Sequence, residues 1–385
     1  MSCLHLLVTT LQKPLSTPHM ELLTATARPF GRQTGRHMKN PVSAWFRVSK
    51  KAGKTTLAAA KKLQKAFAPP SLNAAKRIAK AVLTPLKSEK ASKLERRPTP
   101  GTFTDGVFAA RGRRMHYKLY TPVGSARRKM PLVVMLHGCT QTAADFANTT
   151  SMNTLADELG FLVLYPQQSR AANMNLCWNW YSPGHQARGY GEPACIASLT
   201  RVVARICNAD DARIYIAGFS AGAAASAIIG SAYPELFVAV GVHSGVAKGD
   251  IEGLNAALTA MRKGHGPRKA NSAKPVPMLP TILFHGDDDK IVHPKNAEDF
   301  VDHLGGAHPT PLRRTEEKGA TALGRSFTRA IFHDANNDVL MESWTIHGAG
   351  HAWSGGGAFA TYTDPLGPSA SREFMRFFLE RKRAA

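Results

Sequence analysis

A serine set between two glycines, Gly218-Phe219-Ser220-Ala221-Gly222, is the most pointed chemical feature of this chain. A β-rich run (Ile214, Tyr215, Ile216) leads into it, and an alanine-rich, helix-forming stretch over 223–230 leads out. Strand, sharp turn and helix make the context in which a serine is lifted clear of a sheet as a nucleophile. So tight a turn requires neighbours almost free of side chain. Gly218 and Gly222 meet that need, and Ala221 is the next smallest choice. The hydroxyl then stands at a helix N-terminus, where developing negative charge is favoured.

A serine hydroxyl is a poor nucleophile at neutral pH. It needs a base, a carboxylate that orients the base, and donors for the oxyanion. Three acids, Asp287, Asp288 and Asp289, follow an apolar run over 281–284 and the pair His285-Gly286. Asp289 is the expected acid, because it lies far enough past the strand to turn toward a loop histidine. Asp287 and Asp288 read as turn or cap residues. Two histidines, His347 and His351, follow the run over 340–346. His351, in a Gly-Ala-Gly-His-Ala-Trp loop, is the expected base, and His347 at the strand end is expected to bond locally. The order serine, acid, histidine supports both choices.

The oxyanion donors expected are the backbone N–H of Ala221 and that of Cys139, in the loop His137-Gly138-Cys139-Thr140, with Thr140 next in line. A cysteine nucleophile at Cys139 lacks an elbow. Trp178, Trp180 and Trp353, with Tyr181, are expected to wall an apolar substrate groove above the sheet, the alternative being ordinary packing of loops over the core. Nothing in this chemistry requires a metal or an organic cofactor.

Elements of matching period must position these residues. An alternating stretch at 115–120 and short, mostly apolar runs at 132–136, 161–165, 238–242, 281–284 and 340–346 read as strands, with 340–346 the last. Helical stretches fall at about 143–159, 192–206 and 369–381. A long Asn- and Trp-containing excursion spans 166–191, and a polar, basic insertion spans 246–278. Strands alternating with helices imply a mostly parallel sheet covered on both faces.

The net charge of +23 is uneven. Residues 1–100 hold 20 of the 50 Lys/Arg and only Glu21, Glu89 and Glu95 of the 27 acids, a balance of +17. A domain boundary is therefore expected at 100/101, with a basic extension over 1–100 and a catalytic domain over 101–385. Lys50, Lys54, Lys61 and Lys65 share one helical face over about 42–67, opposite Trp45, Val48, Ala59 and Leu63. Such a basic amphipathic helix suits a granule or membrane surface, or lies on the catalytic domain. Nucleic acid is a weaker partner, since aromatic residues are sparse there, and no obligate protein partner is implied. Residues 84–100 read as a linker and 1–40 as disordered. The apolar opening over 4–8 is too short for a secretion signal. Gly53-Lys54-Thr55 lacks the upstream glycine and strand of a phosphate-binding loop. Five cysteines fit no zinc or redox spacing. One or two disulfides among Cys139, Cys177, Cys195 and Cys207 or reduced core thiols are equally compatible with the sequence.

Taken together, Leu136-His-Gly-Cys-Thr-Gln141, Cys177-Trp-Asn-Trp180, Gly218-Phe-Ser-Ala-Gly222, Val242-His-Ser-Gly245, His285-Gly-Asp-Asp-Asp289 and His347-Gly-Ala-Gly-His-Ala-Trp353 resemble the polyhydroxybutyrate depolymerase-type esterases. That family is close to the feruloyl and acetylxylan esterases. The resemblance covers roughly 101–380 and implies an α/β-hydrolase fold, with Ser220 as nucleophile, Asp289 as acid and His351 as base. It also implies an enzyme acting outside the cell, the alternative being a cytoplasmic, granule-associated one. The expected substrate is a polyester of 3-hydroxyalkanoates or its oligomers. Feruloyl or acetyl esters of plant polysaccharide are the second choice. A granule-coating protein with vestigial hydrolysis is a third reading, and a peptidase on the same fold is the last.

Overall fold

In a computed structural model the described residues are 101–110, 113–125, 128–247, 251–264 and 279–384. The basic helix expected over 42–67, the linker over 84–100 and the boundary at 100/101 lie outside them.

The described chain begins with an antiparallel pair, β1 (Thr102–Ala110) and β2 (Arg113–Thr121). Then come β3 (Leu132–Leu136), α1 (Ala143–Thr150), α2 (Met152–Leu159), β4 (Leu162–Gln167) and α3 (Gly191–Ile206). The middle of the chain supplies β5 (Ile214–Phe219), α4 (Ala221–Ala232), β6 (Ala239–His243), α5 (Gly253–Lys263), β7 (Thr281–Gly286) and α6 (Lys295–Ala307). It closes with β8 (Arg313–Ala320), β9 (Ser326–His333), β10 (Val339–Ile346), the short strands β11 (Trp353–Ser354) and β12 (Thr363–Asp364), and α7 (Ala370–Leu379).

Ten strands form one sheet in the order β1-β2-β4-β3-β5-β6-β7-β10-β9-β8. The six from β4 to β10 run parallel, and an antiparallel pair closes each side. Every residue of β3, β5, β6 and β7 is buried, which is why each reads as an unbroken apolar run rather than an alternating one. This is the α/β-hydrolase arrangement.

One face of the sheet carries Val133, Val163, Tyr215, Ala217, Ile282 and Phe284 into a core shared with α1, α2 and α7. Phe374 of α7 is fully buried there, edge-on to both Phe284 and Trp353. On the other face α4 lies so close that a Cβ on Gly230 would fall 2.5 Å from Val240 Cγ2. At the far side of the sheet, the buried carboxylate of Glu342 on β10 accepts from Arg329 of β9 and Arg376 of α7. A carboxylate so deep requires this pairing.

Three expectations need correction. The helical stretch at 143–159 is two helices, because Ser151 takes a left-handed conformation that ends α1 and starts α2. The insertion over 246–278 contains α5, which carries Leu254, Ala257, Leu258 and Met261 at helical spacing within an otherwise polar, basic stretch. The run at 340–346 is not the last strand, since β11 and β12 follow; at two residues each they are too short to show a period.

Truncating Phe374 removes a ring from the middle of this packing. We expect Phe374→Ala to cost about 3–5 kcal/mol, read as a lowered midpoint of urea unfolding.

Candidate active site

Ser220 joins β5 to α4 at φ 56°, ψ −119°, a conformation that costs a non-glycine residue energy. The surrounding backbone imposes it. A Cβ on Gly218 would lie 2.4 Å from the Gly222 carbonyl group, and one on Gly222 would lie 2.1 Å from Leu136 O of β3. Both glycines are therefore required by close approach of backbone to backbone. The Ser220 N–H donates to His243 O at 2.9 Å, tying the turn to the end of β6.

Asp289 and His351 are brought together across 62 residues of sequence, with His351 Nδ1 2.7 Å from Asp289 Oδ2. The other carboxylate oxygen accepts the N–H groups of Ile291 and Val292, each at 2.9 Å. Burial would raise the Asp289 pKa. The charge and hydrogen bond of His351, with His285 and the Val292 N–H, outweigh burial and hold the carboxyl down to about 2. Asp289 is thus ionised, and an ionised carboxylate fixes the proton of His351 on Nδ1. His351 Nε2 is buried and has no hydrogen-bond partner among the described residues, Ser220 Oγ included. The imidazole lies against Phe219, beside the serine, with ring centroids 4.8 Å apart. In free serine hydrolases such a contact commonly tightens only with substrate.

The neighbouring pair behaves differently. His347 Nδ1 is 2.8 Å from Asp287 Oδ2 and His347 Nε2 is 2.9 Å from Thr328 Oγ1, so both ring nitrogens are engaged at a partly exposed position. Asp287 also accepts the Gly348 N–H, and Asp288 pairs with Lys290 on the surface.

The loop after β3 is held from several directions. His137 Nδ1 donates to Gly138 O, while its Nε2 accepts the Gln168 N–H. Trp178 Nε1 donates to His137 O at 3.0 Å, and the Gly138 N–H goes to Gln141 Oε1. Cys139 is joined to Cys177 by a disulfide, so its thiol is not available as a nucleophile. The Thr140 N–H is given to Asn175 O at 2.7 Å, which takes Thr140 out of contention as a donor to substrate. The N–H groups of Cys139 and Ala221 make no hydrogen bond among the described residues.

The expectation that tryptophans wall a groove is corrected. Trp178 and Trp353 are fully buried, and Trp180 nearly so. Their payload is structural: Trp178 braces the His137 carbonyl, and Trp353 stacks on His243 and donates to Ser371 Oγ. Large aromatic rings in loops bury themselves when those loops fold back on the sheet. Sequence reasoning also missed Glu192. Its buried carboxylate accepts from Gln168 Nε2, Asn179 Nδ2 and the Asn179 N–H, and so fastens the 166–191 excursion. A lone Glu at a helix start gives no sign of this in sequence.

The family model described as esterase PHB depolymerase matches residues 115–314, a stretch that includes Cys139, Ser220 and Asp289. The chain belongs to the PHB depolymerase esterase family. It is 31% identical over 230 residues to poly(3-hydroxyalkanoate) depolymerase C of Paucimonas lemoignei, covering 57% of this chain and 54% of that one. It is 27% identical over 236 residues to feruloyl esterase B of Thermothelomyces thermophilus, covering 57% of this chain and 78% of that one. The chain thus spans about half the length of the Paucimonas relative. In structure it is similar to the acetyl xylan esterase from Aspergillus awamori, with a TM-score of 0.57, 19% identity, and coverage of 72% of this chain and 99% of that one. The last likeness concerns the fold.

Within this esterase fold, three buried histidines stitch the loops at the C-terminal sheet edge. His137 and His285 tie loops as neutral rings, His285 Nε2 donating to Val292 O. His243 Nε2 accepts the Ser354 N–H. Burial lowers the pKa of all three, that of His137 to about 4. Each favours the neutral form in the folded state. Their contribution is complete above the unfolded value near 6.5 and is lost as pH falls below it, for His137 toward about 4. Asp289, depressed from 3.8, keeps its contribution in that window. We expect unfolding free energy to fall between pH 6.5 and 4, His137 alone accounting for about 3 kcal/mol, as measured by urea titration at a series of pH values.

The disulfide closes a 38-residue separation at the same loop. Cys177→Ser is expected to lower unfolding free energy by about 2–4 kcal/mol in thermal or urea melts.

Proposed function

We propose that this chain is a serine esterase that hydrolyses poly(3-hydroxyalkanoate) ester bonds, in polymer or oligomer, through an acyl-Ser220 intermediate. The observation that carries the mechanism is the Asp289–His351 couple beside a strained Ser220, with unengaged N–H groups on Ala221 at the start of α4 and on Cys139 in the loop after β3. His351 Nε2 removes the Ser220 proton as Oγ attacks the ester carbonyl. The N–H groups of Cys139 and Ala221 receive the oxyanion, helped by the N-terminus of α4. Collapse expels the alcohol, which takes its proton from His351. Water, deprotonated by the same nitrogen, attacks the acyl carbon; the acyl–Oγ bond breaks, Ser220 Oγ regains its proton from His351, and the acid is released. Asp289 remains ionised throughout and holds the imidazole tautomer. No metal or organic cofactor has a part in these steps.

Support for the polyester comes from the family match and from the depolymerase relative. The second reading, a feruloyl or acetyl ester of polysaccharide, is favoured by the feruloyl esterase relative, of which the chain covers the larger share. Action in an oxidising compartment outside the cell is supported by the Cys139–Cys177 disulfide. Among the described residues no helix is long and apolar enough to cross a membrane. The basic stretch over 42–67 would then anchor the enzyme on a granule or membrane surface, a role tested by deleting residues 1–100 and measuring adsorption to polymer particles.

Clearing of amorphous poly(3-hydroxybutyrate) suspensions tests substrate and mechanism together. We expect clearing by the native enzyme and a loss of at least about 10⁴-fold in Ser220→Ala. Ser220-dependent release from feruloyl or acetyl esters without clearing would favour the second substrate, and undiminished activity in Ser220→Ala would refute the mechanism.

A further inference from the structure

Beyond β4 the chain runs to α3 without a strand, and its one regular piece is a 3-10 turn over Pro183–His185. Side chains hold this excursion instead, and they converge on Glu192, a buried carboxylate in the first turn of α3. Glu192 Oε1 accepts Gln168 Nε2 at 2.6 Å and Asn179 Nδ2 at 2.8 Å. Its Oε2 accepts the Asn179 N–H at 2.8 Å. His185 Nδ1 accepts the Glu192 N–H at 3.3 Å and lies 3.4 Å from Oε2.

Backbone groups decide the direction of these bonds. Gln168 Oε1 accepts the Ser169 N–H, and its Nε2 also donates to Cys177 O. Asn173 Oδ1 accepts the N–H groups of Asn175 and Cys177, so its Nδ2 donates to Asn179 Oδ1. Asn179 Nδ2 is thereby turned to Glu192. Both Glu192 oxygens face donors, and a carboxylate, which only accepts, satisfies them all. Burial would raise its pKa; His185, the Gln168 amide and the Asn179 N–H outweigh burial and hold it below the ordinary carboxylate value. The N-terminus of α3 favours the same charge.

The excursion also fixes the peptides on both sides of Cys139. The Gln168 N–H occupies His137 Nε2 at 3.1 Å, which leaves the imidazole proton on Nδ1, given to Gly138 O at 2.8 Å. N–H and C=O point in opposite directions across a trans peptide, so this bond aims the Cys139 N–H away from the His137 ring. On the other side, Asn175 O takes the Thr140 N–H at 2.7 Å, and Cys177 is bonded to Cys139. Thr140 needs such restraint, because φ 67° is strained for a β-branched residue. Its hydroxyl meets that of Tyr362 at 3.1 Å, a further tie across 222 residues of sequence. The direction of the donor is thus set from residues 168, 175 and 177. All three connect to Glu192, Gln168 directly and the others through Asn173 and Asn179.

We propose that Glu192 is a positioning residue of the esterase reaction: its carboxylate, through Gln168 and the Asn179–Asn173 pair, holds the Cys139 N–H where the oxyanion forms. The inference rests on the serine esterase reading above and adds the group that keeps its second oxyanion donor in place.

Glu192→Gln tests it by keeping the shape and replacing one acceptor oxygen with a donor. In either orientation of the new amide, its NH2 faces at least one N–H of the set. In the full chain, kcat for 4-nitrophenyl butyrate is expected to fall about 10–100-fold while KM stays within about twofold. Butane-1-boronic acid forms a Ser220 adduct with an oxygen where the oxyanion develops, and its Ki is expected to rise by the same factor. An unchanged kcat, or a lowered kcat with an unchanged Ki, would overturn the assignment. A rise in KM as large as the loss in kcat would also overturn it, as the mark of a general loosening. Should Glu192→Gln not fold, Asn179→Ala cuts the same relay at a half-buried residue, and the same three constants decide. Ser220→Ala separates the two levels. If it abolishes hydrolysis while Glu192→Gln leaves the Ki unchanged, the mechanism stands and only the Glu192 role fails. Hydrolysis surviving in Ser220→Ala would sink the mechanism itself.

Discussion

The site depends on how closely α4 is pressed against the end of β3. Gly222 leaves no room for a Cβ below Leu136 O, and Gly218 leaves none below the Gly222 carbonyl. That approach forces Ser220 into its strained turn and brings the Ala221 N–H to the same side as the loop after β3. A larger residue at either glycine would push the helix from the sheet and separate these groups. The strain is held because β5 lies between β3 and β6, buried along its whole length, and cannot shift without disrupting both.

Around the elbow, the strand ends are joined laterally by side chains as well as by backbone bonds such as Ser244 N–H to Phe284 O. His137 links β3 to the loop after β4, His243 links β6 to the loop beyond His351, and Asp287 links β7 to the end of β10 through His347. Loops at a sheet edge need some such device, since their backbone groups have left the ladder. Imidazole suits the task because it can accept with one nitrogen and donate with the other. The same choice makes the scaffold sensitive to acid, as neutral rings in a dry interior cannot be protonated without cost.

Two histidine–carboxylate pairs, their acids two residues apart and their histidines four, show how environment divides the work. Asp287 and His347 sit partly in water with both carboxylate oxygens and both ring nitrogens engaged. Asp289 and His351 are shielded, with one imidazole nitrogen left over. A buried, oriented base with an unfilled valence is what proton transfer from a serine asks for, and the exposed pair instead locks the acid loop to the histidine loop.

The sequence by itself determined the parallel core and the elbow. Buried strands such as β3, β5 and β7 need continuous apolar runs, and a turn as tight as that at Ser220 needs glycines at fixed offsets, so both leave a local signature. The antiparallel margins left almost none: β8 is Arg-Arg-Thr-Glu-Glu-Lys-Gly-Ala, and β1 is half exposed, because edge strands are held by backbone bonds that any side chain permits. Within the site, distance past the strand and chain order pointed to Asp289 and His351, yet only the fold decides how they differ from Asp287 and His347, since burial and bonding partners come from distant segments. The same holds for the Cys139–Cys177 bond, the bracing role of Trp178 and the meeting of Thr140 with Tyr362. Local geometry is written in neighbouring residues. Contacts across 38 or 222 residues depend on where the whole chain places them.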